Sequence, residues 1–88
     1  MEDRRERRAP EIAEAYLTWE GQPFPKHGLL LDVSAKGARL RLFATRELPE
    51  IIRLSVPRLN IATRARIVWR HGDLCGLEFL SPEPHRPY

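Results

Sequence analysis

Apolar and polar residues alternate with a period of two along most of this 88-residue chain. This period is typical of β-strands that bury one face. The first strand segment extends to Trp19 and is broken by Gln22-Pro23-Phe24-Pro25, because prolines are excluded from central strands. Five further segments follow between turn signals, at residues 28–34, 38–42, 52–56, 64–70 and 74–80. Six short strands at even spacing predict a mainly β fold, either a small antiparallel barrel or a sandwich.

The alternation also predicts which side chains face the core. The expected core positions are Leu29, Leu31 and Val33 in the second strand and Ala38, Leu40 and Leu42 in the third. Since neighbouring residues of a strand point to opposite faces, Leu30, Asp32 and Ser34 are expected on the outer face. Arg39 has the outward parity in the third strand. We therefore expect Arg39 close to Asp32, across the hairpin.

The chain divides into three parts. Residues 1–10 form an arginine-rich arm that ends at Pro10, residues 11–80 form the β domain, and residues 81–88 form a tail with three prolines. Charged chain ends are usually solvated, so the arm is expected to be flexible. The proline-rich tail favours extended backbone. The one weak helical segment, residues 45–51, is limited by Pro49 to about one turn.

Bulk composition indicates a soluble, cytoplasmic domain. The hydrophobic fraction is 42% and the charged fraction 31%. No apolar run approaches the ~18 residues of a membrane span, and no segment resembles a signal peptide. Cys75 is the single cysteine, which excludes an intrachain disulfide and a cysteine metal cage. The net charge of +3 permits a phosphate-bearing partner without requiring one.

An enzyme is not expected, and neither is a cofactor or a metal site. The three histidines, His27, His71 and His85, fall in predicted loops or in the tail without metal-ligand spacing. Neither a glycine-rich phosphate loop nor a nucleophile elbow is present. Cys75 has no histidine partner placed by a motif, and we expect it to be a half-buried strand residue.

Two segments carry candidate chemistry. Arg4, Arg5, Arg7 and Arg8 place four guanidinium groups at one chain end. The turn 32–37, Asp-Val-Ser-Ala-Lys-Gly, joins the second and third strands and puts a carboxylate beside a hydroxyl. Gly37 closes this turn, where a positive φ is expected. Taken alone, each segment has a purely structural explanation: Asp and Ser cap turns, Asp32 and Arg39 form an exposed cross-strand pair, and charged termini are solvated.

In combination, these segments on a six-stranded domain resemble the PilZ domain family, which binds the bacterial second messenger cyclic di-GMP. The resemblance extends over residues 3–80. Arg4 and Arg8 match an Arg-x-x-x-Arg leader, and residues 32–37 match an [Asp/Asn]-x-Ser-x-x-Gly turn. Segments 37–42, 66–70 and 76–79 are similar to the family's later strands. The resemblance implies a split-barrel type of six-stranded antiparallel β-barrel with a flexible N-terminal arm.

The resemblance also implies a ligand and a role. The implied cyclic di-GMP-binding residues are Arg4, Arg5, Arg8, Asp32, Ser34 and Gly37, with Arg7, Lys36 and Arg39 as secondary candidates. Arginine forks suit phosphates and guanine O6 and N7, and a carboxylate suits guanine N–H donors. The implied mechanism is a receptor switch, in which the ligand folds the arm onto the barrel and creates a surface for a downstream protein. A homodimer is a further candidate assembly.

Two alternatives stay open. The arginine leader can also be aligned on residues 7–11, Arg-Arg-Ala-Pro-Glu, and its second arginine position then holds Glu11. The charge of Glu11 repels phosphate. A PilZ-like domain that has lost nucleotide binding and acts only through protein contacts is therefore the second hypothesis. A small basic barrel that binds single-stranded nucleic acid is the third. It ranks last because the chain has only seven aromatic residues, two Trp, two Tyr and three Phe, and because Trp69 and Phe79 share the parity of the core.

Overall fold

Alternating apolar residues form six strands that close into an antiparallel barrel. The structure is a computed structural model that describes the backbone of residues 9–43 and 48–80 and the side chains of residues 12–43 and 48–80. The strands are β1 (Ala9–Thr18), β2 (Lys26–Val33), β3 (Gly37–Leu42), β4 (Ile51–Val56), β5 (Ile61–His71) and β6 (Leu74–Phe79). Their order around the barrel is β1-β2-β3-β6-β5-β4, and β4 closes onto β1. The predicted mainly β class and six-stranded antiparallel barrel are confirmed.

The barrel interior holds one hydrophobic core to which all six strands contribute. Its buried members are Ala13, Ala15, Leu17, Leu30, Ala38, Leu40, Leu42, Ile52, Leu54, Val56, Ala65, Cys75 and Leu77. Several of these are alanines because a six-stranded barrel has a narrow interior that small side chains help to fill. Cys75 is fully buried rather than half-buried, and it packs as a small apolar residue.

The β4–β5 connection is a short 3-10 helix at Pro57–Leu59. Pro57 ends β4 as predicted, because it has no backbone N–H to continue the ladder. The helix ends at Asn60, whose φ of 60° is left-handed. The predicted helical turn at 45–51 is not found in its described part: residues 48–50 are irregular and Ile51 begins β4, while residues 44–47 lie outside the described residues. None of the described segments forms a helix with the length and hydropathy that membrane crossing requires.

A β-bulge in β2 corrects the predicted face assignment of this strand. Leu30 pairs with Leu40 and Asp32 pairs with Arg39, so Leu31 is an extra residue without its own partner on β3. One extra residue reverses the alternation. Leu30 is therefore buried in the core, and the prediction that it faces outward is wrong. Leu29, predicted inside, lies opposite Arg41 on the outer face.

A second bulge, in β5, corrects the prediction for Trp69. Ile67 pairs with Leu77 and Trp69 pairs with Gly76, so Val68 is the extra residue. Trp69 is thereby turned to the outer face, where it is 42% exposed rather than buried. Phe79 packs against the core as expected. Both bulges lie on the side of the barrel formed by β2, β3, β6 and β5.

Candidate functional site

The turn between β2 and β3 is held by its own serine and backbone. The Ser34 amide donates to the Gly37 carbonyl at 2.8 Å, and the Lys36 amide donates to Ser34 Oγ at 3.2 Å. The serine hydroxyl lies 3.5 Å from the Gly37 carbonyl, a long contact. Lys36 itself is exposed at the tip. The hydroxyl thus caps the turn, as Ser often does.

Asp32 and Arg39 form a close ion pair on the outer face, as the strand parity predicted. Arg39 donates from Nε to Asp32 Oδ2 at 2.9 Å and from Nη2 to the same oxygen at 2.6 Å. These hydrogen bonds, and then the charge of Asp32, raise the pKa of the Arg39 guanidinium above its usual value. Asp32 is only 7% exposed, although its partner reaches solvent. The Asp32 side chain is therefore largely buried, although strand parity predicted it on the exterior.

Gly37 fills a different role from the one expected. It is absent from the positive-φ residues, so the predicted left-handed turn conformation is wrong. The reason for glycine is space: a Cβ at this position would lie 2.1 Å from the Leu77 carbonyl oxygen of β6. The neighbouring strand approaches so closely that only glycine fits at the start of β3.

A row of outward-facing residues crosses four strands at this point. Asp32 of β2 lies opposite Arg39 of β3, Arg39 lies opposite Gly76 of β6, and Gly76 lies opposite Trp69 of β5. The Trp69 indole rests on Gly76, since a Cβ added there would lie 2.1 Å from its Nε1. The row presents a carboxylate, a guanidinium and an aromatic ring side by side. Carboxylate, guanidinium and π-face together suit a charged, planar, hydrogen-bonding ligand.

Sequence reasoning missed Trp69 as a member of this row. Strict alternation assigned it to the core because a bulge leaves no mark in the hydrophobic pattern. The available signal was Gly76, since a glycine inside a strand often marks the close approach of another group.

The start of β1 lies beside the same row. Ala9 pairs with Val33 and Pro10 pairs with Asp32. Strand β1 therefore begins next to the Asp32 turn. Arg4, Arg5, Arg7 and Arg8 lie outside the described residues, as does the tail 81–88. Glu11 lies in β1 between Pro10 and Ala13, where the pairing with β2 is irregular.

Glu14, Tyr16 and His27 form a separate group of titratable side chains, in which His27 lies five residues along β2 from Asp32. Among residues 12–43 and 48–80, no three His, Cys, Asp or Glu side chains lie together as a metal site would require. His27 lies on β2 rather than in a loop, and its Nε2 is 2.9 Å from Glu14 Oε1. Tyr16 donates to the same oxygen at 3.1 Å. Hydrogen bonds from His27, then from Tyr16, lower the pKa of Glu14. Burial raises the pKa of the Cys75 thiol to about 11.

The described residues thus form a closed six-stranded antiparallel barrel with a polar and aromatic row on its outer face. The family model described as the PilZ domain matches residues 2–86 of the chain. The match includes the arginine cluster, the Asp32 turn and all six strands, and the chain belongs to the PilZ domain family. A search of curated proteins finds no match.

Proposed function

We propose that this PilZ domain is a cyclic di-GMP receptor without catalytic activity. In this role it signals by ordering its N-terminal arm over the barrel and by contacting a downstream protein. The observation that carries the proposal is the pairing of Ala9 with Val33 and of Pro10 with Asp32. This register supports the inference that the arginine cluster, whose last member Arg8 precedes Ala9 in the sequence, contacts a ligand bound at the Asp32 turn. Family membership supplies the ligand class, since the PilZ family is known for cyclic di-GMP binding.

The ligand's chemistry matches the groups around the turn. Cyclic di-GMP carries two phosphates and two guanines, and guanine O6 and N7 accept from an arginine fork. Arg4, Arg5 and Arg8 are proposed to bind phosphate and base acceptors through charge-assisted hydrogen bonds, with Arg7 beside them. Asp32 is proposed to accept from guanine N–H groups while it shares its carboxylate with Arg39. Ordering the arm costs entropy, which several such bonds of about 1.5–3 kcal/mol each offset.

The turn and the indole complete the proposed site. Ser34 and Lys36 offer a hydroxyl and an ammonium at the tip, and Gly37 keeps the turn close to β6. Trp69 offers an exposed ring face at the other end of the row, on which a guanine base can stack. Stacking on Trp69 is consistent with its 42% exposure.

A thermal melt with and without cyclic di-GMP tests the proposal. A ligand at one hundred times its dissociation constant stabilises the folded state by ~2.7 kcal/mol. For a domain of this size, this free energy raises the melting temperature by about 10 °C or more. Quenching or shift of tryptophan emission should accompany binding and should be smaller in Trp69→Phe. No change in melting temperature at high micromolar ligand would overturn the receptor proposal.

Two variants distinguish the leader registers. Arg8→Ala should abolish the ligand-induced shift if Arg4 and Arg8 form the leader pair. Arg53→Ala removes one arginine from β4, on the far side of the barrel, and should leave the shift unchanged. If Glu11→Arg creates or strongly tightens binding, the other register applies and the natural chain lacks its second arginine.

A PilZ domain that acts only through protein contacts is the second candidate. Two observations favour it: Glu11 occupies an arginine position in one register, and Arg39 already donates twice to Asp32 Oδ2. In this case the melting temperature stays constant with ligand, while the domain still binds a protein. The same melt therefore separates the two candidates.

A further inference from the structure

The β4–β5 hairpin carries several arginines that do not belong to the Asp32–Trp69 row. Between Glu50 and Asp73 the chain has five arginines and no acidic residue. All five lie on the β4–β5 hairpin and its 3-10 helix, and three of them are Arg53, Arg58 and Arg64. Within the described residues, none of these three forms an ion pair with a carboxylate, whereas Arg66 lies 3.7 Å from Glu50. The hairpin therefore presents uncompensated cations.

Two of these cations face each other directly. Thr18 of β1 lies opposite Arg53 of β4, and Arg53 lies opposite Arg64 of β5. Both arginines are exposed. Like charges at directly opposite positions destabilise a sheet. A pair of this kind is unfavourable for the isolated barrel, and a bound anionic group between the two guanidinium groups would relieve the repulsion.

Two grooves lie along β1, and one of them borders Arg53. A groove of about 370 Å³ beside Arg53 is lined by hydroxyl-bearing side chains, including Thr18 and Ser55. A second groove of about 480 Å³, the apolar groove, is lined mainly by apolar side chains, including Ile12, Leu29 and Pro57, with Arg58 at its border. Tyr16 lines both grooves. Arg58 borders the apolar groove, where its Nη1 donates to the Ile12 carbonyl at 3.1 Å, and Ile12 is 62% exposed.

We propose that the outer face of β1, β4 and β5 is a docking surface for an acidic segment of a protein partner. Carboxylates of the partner pair with Arg53 and Arg64, and an apolar side chain occupies the groove beside Ile12. The proposal deepens the signalling role proposed above, on which it rests for its purpose, by naming the partner's chemistry and the surface used. The surface and the ligand row share β5, where Arg64 and Trp69 are five residues apart, but the centres of the two lie on β4 and β3, on opposite sides of the six-stranded barrel.

Charge and composition favour a protein over a nucleic acid here. Nucleic-acid-binding barrels stack bases on exposed aromatic rings between cations. Tyr16 is the aromatic residue that lines the two grooves, and its hydroxyl donates to the Glu14 carboxylate. The Glu14 carboxylate also lines the apolar groove, where it would repel a phosphate backbone. A peptide avoids this repulsion when it places an apolar residue in the apolar groove and its carboxylates beside Arg53 and Arg64.

Fluorescence anisotropy with a labelled peptide of repeating Glu-Asp-Leu units tests the proposal. The peptide should bind the full chain at low salt, and binding should weaken as salt rises, because exposed charges are screened. Arg53→Gln and Arg64→Gln should each weaken binding about two- to fivefold. Arg41→Gln is the matched control: it removes the same charge from β3, where Arg41 lies 3.6 Å from Asp73, and should leave binding unchanged.

Arg64→Glu separates binding from folding. It replaces the repulsive Arg53–Arg64 contact with an opposite-charge pair, so its melting temperature should stay the same or rise. Its peptide binding should be lost. Loss of binding together with a lower melting temperature would instead indicate a damaged fold and would overturn the assignment.

Other outcomes also decide the proposal. Equal loss in Arg41→Gln would mean nonspecific attraction to net charge and would overturn it. Tighter binding of a single-stranded oligonucleotide than of the peptide would assign the face to nucleic acid, and absence of peptide binding at low salt would refute it outright. Peptide binding that persists in Arg8→Ala, while the cyclic di-GMP response is absent from every variant, supports the docking surface and overturns only the receptor proposal.

Discussion

Gly37→Ala should destabilise the barrel even when no ligand is present. The new Cβ would lie 2.1 Å from the Leu77 carbonyl oxygen, whereas ordinary contact begins at 3.4 Å. Strand β6 must therefore retreat by about 1.3 Å from the start of β3. The obstacle is backbone rather than a flexible side chain, so no rotamer change relieves it.

The cost of Gly37→Ala follows from two contributions. Overpacking in a closed structure typically costs about 1–3 kcal/mol. The retreat of β6 also weakens the hydrogen bond from the Phe79 amide to the Lys36 carbonyl, now 2.8 Å long, which is worth about 1 kcal/mol. A total of about 2–4 kcal/mol is a large part of the stability of a small domain. The melting temperature should fall by at least about 10 °C.

Thermal unfolding followed by circular dichroism, without ligand, measures this change. Gly72→Ala is the matched control, because Gly72 has a φ of +66° and nothing within 4 Å of an added Cβ. That substitution should cost only the strain of left-handed backbone, about 1 kcal/mol. If Gly37→Ala melts at the same temperature as the natural chain, or higher than Gly72→Ala, the close approach of β6 is refuted. In that case the role of Gly37 would be to let a ligand approach the backbone, and ligand binding by Gly37→Ala would test it.

Three further predictions concern the core, the thiol and the indole. Leu40→Ala should lower the free energy of unfolding in urea by about 2–5 kcal/mol, because Leu40 is fully buried. Leu29→Ala, on the outer face, should lower it clearly less. Equal losses in the two variants would contradict the β2 bulge. Burial raises the pKa of Cys75 from its usual 9.0 to about 11, so the free energy of unfolding should decline as pH rises from 9 towards 11. Iodoacetamide should label the thiol quickly only in denaturant. Rapid labelling of the folded chain would contradict the burial of Cys75. Gly76→Ala places a Cβ 2.1 Å from Trp69 Nε1, so the indole must move away from β6. The tryptophan emission should therefore shift to longer wavelength. An unchanged emission spectrum would show that the ring does not rest on Gly76.

The strand pattern was sufficient for the fold class but not for the choice between two architectures. Alternation at Ala38, Leu40 and Leu42, and prolines at the strand breaks, predicted six antiparallel strands in a barrel or a sandwich, and the structure closes them into a barrel. Each of these signals is local: side-chain parity and backbone φ are properties of a few adjacent residues. The same parity brought Arg39 to Asp32 across a hairpin, because the turn between them is short.

The site depended on longer-range geometry that the pattern does not carry. Bulges at Leu31 and Val68 reversed the faces of Leu30 and Trp69. A bulge arises from the twist and closure of the whole barrel, in which a strand must accommodate two neighbours at once. This requirement cannot be predicted from the sequence of a single strand.

The amino-acid sequence by itself determined the strand count, the position of the Asp32–Ser34 turn and the charge of the arm and of the β4–β5 hairpin. Only the tertiary structure decided that Trp69 lies in one row with Asp32 and that Arg53 faces Arg64. It also decided why Gly37 must be glycine, since the reason is the backbone of β6 and not the turn. The physical cause is the same in each case: these contacts join residues far apart in the chain, and barrel closure alone sets their register.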